Sequence, residues 1–127
     1  MMSCIVVGSG DGAQVLREIV ADAGFGTAAV IDRVDMARLG ASSPELVVID
    51  TDRFEGDVFE AIRMTRFVVP DATIAVYTPP RDRSWVAACH RAGANCLVSK
   101  HSPPQRVAEA LRRGADDGCY TDPAVRR

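Results

Sequence analysis

The chain has 127 residues, the size of one compact domain, which excludes an elaborate multidomain enzyme. With 47% hydrophobic and 25% charged residues the composition is globular rather than disordered. A formal net charge of -2, with acids and bases interspersed, gives no electrostatic reason for this domain to bind nucleic acid or a membrane surface. Fourteen of the fifteen basic residues are arginine, and the single lysine is Lys100.

The first strand is read at Cys4–Val7, a short apolar run rich in β-branched residues. A helix follows, with Val15, Leu16, Ile19, Val20 and Ala23 facing inward and Gly24 closing it. The second strand is read at Ala28–Ile31 and a short helix at Val34–Leu39, closed by Gly40. Leu46–Ile49 is the third strand. The helix after it, from about Gly56 to Phe67, buries Val58, Phe59, Ile62 and part of Thr65 or Arg66. Pro70 forces the chain out before the fourth strand, Thr73–Tyr77.

A fourth helix starts after Pro79-Pro80, capped by Asp82, with Trp85, Val86, Cys89 and Ala92 inward and Gly93 as its stop. The fifth strand, Cys96–Val98, leads to a helix entered through Ser102-Pro103-Pro104, a hydroxyl cap followed by first-turn prolines, which buries Val107, Ala110 and Leu111. From Gly114 the helical period fades, and the end reads as a tail. Strands alternating with helices, and strands that are apolar without alternation, predict a doubly wound parallel sheet covered by helices on both faces.

No cationic stretch followed by a long apolar run opens the sequence, and no run reaches the about 18 apolar residues of a membrane helix. A soluble, cytoplasmic protein is expected, with no membrane contact. Cys4, Cys89, Cys96 and Cys119 show no C-x-x-C spacing and are read as reduced, buried thiols. His90 and His101 have no partner at ligand spacing and are read as surface residues.

Functional groups of an open parallel sheet gather at the carboxyl ends of its strands. Those ends carry Gly8-Ser9-Gly10-Asp11, Asp32, Asp50, Thr78 and Ser99-Lys100. A carboxylate, a hydroxyl and an ammonium converging from three strands suit phosphoryl chemistry: the carboxylate is the nucleophile, and the other two hold the incoming oxygens. Asp11 is also suited to cap the first helix, while Asp52 and Asp57 are suited to loop and cap roles.

The run Pro44-Glu45-Leu46-Val47-Val48-Ile49-Asp50, with Thr78 28 positions and Lys100 50 positions after Asp50, resembles bacterial response-regulator receiver domains of two-component signalling. The segment Ala92 to Lys100, continued by Ser102-Pro103-Pro104-Gln105-Arg106-Val107, is similar to the LuxR-like transcription-factor branch. The resemblance implies a flavodoxin-like (βα)5 fold with strand order 2-1-3-4-5, a receiver-like domain over residues 1–115, and a linker-like tail over 116–127. In that branch such a tail leads to a DNA-binding helix-turn-helix, which here would lie after Arg127.

It further implies that Asp50 is the phospho-acceptor, that Thr78 and Lys100 contact the phosphoryl group, and that the partner is a sensor histidine kinase or another signalling protein, with a homodimer as a further state. The domain would be a signalling and interaction module rather than an enzyme. The family's acidic pair after the first strand is replaced by Gly8-Ser9, leaving Asp11, Asp50 and Asp52 as the candidate Mg²⁺ ligands. Weak or absent Mg²⁺ binding and phosphorylation are therefore expected. Leu97 replaces the family's switch aromatic, Pro79 follows Thr78 where a small residue is usual, and His101 follows Lys100 where many members have proline. An alternative reading takes Gly8, Gly10 and Ala13 with Asp32 as a dinucleotide fingerprint, the glycines admitting a pyrophosphate and the acid holding a ribose.

Overall fold

The computed structural model describes residues 3–26, 29–52, 54 and 56–126. Among these residues five strands and five helices alternate: β1 (Cys4–Val7), α1 (Asp11–Asp22), β2 (Ala29–Ile31), α2 (Met36–Ser42), β3 (Leu46–Asp50), α3 (Val58–Val68), β4 (Thr73–Thr78), α4 (Arg83–Ala92), β5 (Cys96–Ser99) and α5 (Pro104–Asp117). A short strand β6 (Tyr120–Thr121) and a 3-10 turn at Pro123–Val125 follow α5. All six strands pair in parallel in the order β2-β1-β3-β4-β5-β6. The expected order 2-1-3-4-5 is present, with one strand added at its edge. Ala28, placed in the second strand from sequence, lies outside the described residues.

Alternation along each strand divides the core into two halves. Val6, Val48, Ala75, Tyr77, Cys96 and Val98 pack with Leu16 and Val20 of α1 and with Val107 and Leu111 of α5. On the other face Val7, Val47, Ile49, Ile74, Val76 and Leu97 pack with Leu39, Ile62, Val86 and Cys89 of α2, α3 and α4. Burial on both faces is why the strands are apolar at every position. Each fully buried Leu, Ile or Val stabilises the fold by roughly 1.5–3 kcal/mol relative to exposure.

Helix ends decide how the loops above the sheet are aimed. Asp57 caps α3 by accepting from the Phe59 N–H at 2.8 Å, and Asp82 caps α4 by accepting from the Trp85 N–H at 2.9 Å. Asp11 does not cap α1: Gly10 takes that place at φ 89°, a left-handed conformation that favours glycine, and Asp11 becomes the first helical residue. Ser102 does not cap α5 either. Pro103 does so by backbone conformation alone, and the Ser102 hydroxyl donates to Asp122 Oδ2 at 2.7 Å. Gly40 does not end α2, which runs on to Ser42 and stops at Ser43 with φ 44°. Val15 is 46% exposed, because Ala13 and Leu16 take the inward face of α1.

The predicted tail is folded onto the domain. α5 continues through Gly114, where a Cβ would lie 2.7 Å from Cys96 Cβ, so the glycine permits close helix–strand approach. Gly118 at φ 80° then reverses the chain, Tyr120 and Thr121 pair with Cys96 and Leu97, and Asp122 and Val125 are fully buried. His90 is a corrected expectation too. It is half-buried, with Nδ1 on the Ala94 carbonyl at 3.0 Å and Nε2 on Thr121 Oγ1 at 2.8 Å. Trp85 packs, as expected of an anchor, against Phe59 with ring centroids 5.6 Å apart.

Candidate functional site

Parallel register carries three strand ends to one side of the sheet: Asp50 pairs with Tyr77, and Thr78 with Ser99, immediately before Lys100. Asp50 is fully buried. Its Oδ1 accepts from the Lys100 ammonium and from the Asp52 N–H, the latter at 2.9 Å. Its Oδ2 is buried and has no hydrogen-bond partner among the described residues. Such an acceptor carries a desolvation cost unless charge nearby compensates it. Lys100 is the compensating charge, and its Nζ also stands 5.1 Å from the Tyr77 ring centroid. Burial, with a smaller contribution from the Asp50 charge, pushes the Tyr77 phenol up from its ordinary range.

The loop after β1 closes over this carboxylate. Gly8 donates its N–H to the Ile31 carbonyl at 2.8 Å, pinning the loop to β2. A Cβ on Gly8 would lie 2.9 Å from Asp50 Cβ, and one on Gly12 would lie 2.5 Å from Asp50 Oδ2 and 3.8 Å from Lys100 Nζ. The glycines thus let the first turn of α1 approach the acid, and the positive end of that helix favours a negative group there. Gly12, Tyr77 and the Asp52 amide belong to the site without having been singled out from sequence. The only trace of the first is the spacing of Gly8, Gly10 and Gly12 at every second position.

Asp50 and Lys100 are brought together; Thr78 occupies the same strand-end region but faces another way. Its hydroxyl donates to the Pro79 carbonyl at 3.0 Å and accepts from Arg81 Nε at 3.5 Å, consistent with strand alternation that turns Thr78 away from the side of Tyr77. Asp11 is exposed on α1, Asp52 is exposed and contributes its backbone amide, and Asp32 is exposed beyond β2. Leu97 is fully buried in the core, and the exposed His101 donates its N–H to Ser99 Oγ at 3.0 Å.

These residues do not fit Mg²⁺. One oxygen of Asp50 is held by an ammonium and the other lies under Gly12, and no group of three His, Cys, Asp or Glu able to hold a metal occurs among the described residues. A hard divalent cation requires several oxygen ligands, commonly more than one carboxylate. Of the dinucleotide-like motif, Gly8 meanwhile has a steric use at Asp50, and Gly10 supplies the positive φ at the start of α1.

No family model matches the sequence, and neither does any curated protein. The fold does have solved counterparts. A LuxR-family DNA-binding response regulator from Silicibacter pomeroyi superposes with a TM-score of 0.78 at 13% identity, over 98% of this chain and 99% of that one. A LuxR-family two-component response regulator from Aurantimonas sp. SI85-9A1 gives 0.77 at 20% identity, over 98% and 92%. A CheY-like protein (tadZ) from Pseudomonas aeruginosa PAO1 gives 0.71 at 15% identity, over 90% and 97%. Sheet order, helix placement and these superpositions together establish that the chain has the fold of response-regulator receiver domains.

Proposed function

We propose that this domain is an atypical receiver in a two-component phosphorelay, a signalling and protein-interaction module rather than an enzyme, with Asp50 as its phospho-acceptor. The observation that carries the reading is the pairing of the buried Asp50 with Lys100, one carboxylate oxygen having no hydrogen-bond partner among the described residues. That oxygen is the nucleophile: Asp50 Oδ2 attacks the phosphorus of a phosphohistidine on a sensor kinase, an O–P bond forms, the P–N bond breaks, and the imidazole leaves with a proton from solvent. Lys100 and the N-terminal end of α1 face the added negative charge, and the Thr78 hydroxyl turns from Pro79 to a phosphoryl oxygen.

The transfer is weak in this reading. Asp50 is closed off from solvent, so the Gly8–Gly12 loop has to open, and among the described residues Lys100 and the N-terminal end of α1 take the charge neutralisation that a metal commonly supplies. A two-component role places the domain in the cytoplasm in this reading; separately, no described helix is long and apolar enough to cross a membrane. Its output runs through protein contacts, including a homodimer, toward transcription control by a helix-turn-helix beyond Arg127, with residues 116–127 as the connection. The test is incubation with acetyl phosphate and Mg²⁺ followed by intact mass. A small fraction of wild type should gain one phosphoryl group and Asp50→Asn none; an unmodified wild type, or an equal gain in Asp50→Asn, removes Asp50 as the acceptor.

A further inference from the structure

The segment after α5 is short, yet it is tied down at every step. Tyr120 and Asp122 donate their N–H groups to the Asn95 and Leu97 carbonyls, both at 2.9 Å. Thr121 meets His90, and the buried Asp122 carboxylate accepts from Ser102 at 2.7 Å and from the Ala124 N–H at 3.0 Å. Val125 is fully buried, and its carbonyl accepts from the Arg81 N–H at 2.7 Å. Arg126 forms a parallel bridge with Arg81.

Arg81 is the common element. Its backbone holds Val125, its Nε reaches Thr78 Oγ1 at 3.5 Å, and its guanidinium lies 4.4 Å from the Trp85 ring centroid. Thr78 is the last residue of β4, three positions before Arg81, and ends its strand in the same strand-end region as Asp50 while its hydroxyl faces Pro79 and Arg81. We propose that Gly118–Arg126 is a latch over the edge of β5, and that Arg81 links it to the Thr78 hydroxyl so that a change of partner at Thr78 releases it. The link rests on the function proposed above, in which Thr78 turns toward a group on Asp50.

A two-residue strand buries little on its own, so the latch depends on its end contacts. When Thr78 leaves Arg81, the guanidinium loses its anchor on the β4 side and the Arg81 backbone is freed to move away from Val125. The Asn95 and Leu97 carbonyls then lose their partners, and the edge of β5 is uncovered as a row of unpaired backbone groups open to strand addition.

The test needs no phosphoryl transfer, so its failure and the failure of Asp50 as acceptor are separate results. Hydrogen exchange is measured by peptide on the full chain for wild type, Thr78→Val, Arg81→Ala and the double variant, with Val125→Ala as a direct disruption of the seat. Each variant should raise exchange in residues 118–126 by about tenfold, leaving peptides of β1 and β3 unchanged. The double variant should exceed neither single, because both act through one link. Fluorescence of Trp85, the single tryptophan, should shift in Thr78→Val as Arg81 moves off its ring. Wild-type protection of 118–126 in Thr78→Val, independent effects that multiply in the double variant, or a uniform rise across all peptides would each overturn the latch.

Discussion

Gly12 stands so near Asp50 that a Cβ on it would lie 2.5 Å from the buried Oδ2. An alanine there sets two effects against each other. Helix propensity favours it by about 0.5–1 kcal/mol, while forcing a methyl against a buried carboxylate costs about 1–3 kcal/mol. Gly12→Ala should therefore destabilise the wild-type domain in urea. On an Asp50→Ala background the clash is gone, and the same substitution should become stabilising. This reversal of sign isolates the contact.

Lys100 is the counter-charge of a fully buried acid. Replacing it with methionine keeps the length of the side chain but leaves Asp50 uncompensated, at an expected cost of about 3–5 kcal/mol. Asp50→Asn in the same chain should recover part of that loss, giving a large coupling in a double-mutant cycle measured by chemical denaturation. Lys100→Arg should not substitute fully, since a planar guanidinium fits poorly where a slim ammonium lies between Asp50 and the Tyr77 ring.

Arg66 holds the far end of the sheet. Its guanidinium donates to the Pro70, Ala72 and Gly93 carbonyls at 2.8, 2.7 and 2.7 Å and to Asn95 Oδ1. Burial lowers its pKa, opposed by the Asp71 charge, yet an arginine remains charged at neutral pH. Lysine offers a point charge instead of a fork. Arg66→Lys should thus destabilise by about 2 kcal/mol, read as a lower urea midpoint with unchanged slope.

Burial pushes the Cys4, Cys89 and Cys96 thiols up from 9.0 to about 12. The folded state holds these protons where the unfolded chain releases them, so stability is intact below about pH 9 and falls as pH rises toward 12. Each such thiol subtracts about 1.4 kcal/mol per pH unit in that window. Cys119 alone is exposed, contrary to the expectation of four buried thiols. At pH 8 a thiol reagent should label one cysteine in the folded chain and all four after denaturation.

Much of the architecture is legible in the chain because its signals are local. Runs such as Leu46–Ile49 have apolar residues at every position, which only a sheet covered on both sides can use. Asp57 and Asp82 announce their helices by position. Misreadings fall where a distant residue decides: Asp11 yields the cap to Gly10 because the loop must turn with positive φ above Asp50, and Ser102 turns to an acid twenty positions away in sequence. The added strand escapes notice because two residues carry no period.

At the site the same division holds. That an acid, a hydroxyl and the single lysine stand at the ends of successive strands is readable in the chain, since strand length and helix spacing are short-range properties. That Lys100 closes on Asp50, that Gly12 covers its other oxygen, and that Thr78 faces Arg81 instead follows from how the elements pack. Register and loop closure depend on packing across the whole sheet, and a side chain's partner is chosen by what the fold brings within a few ångströms.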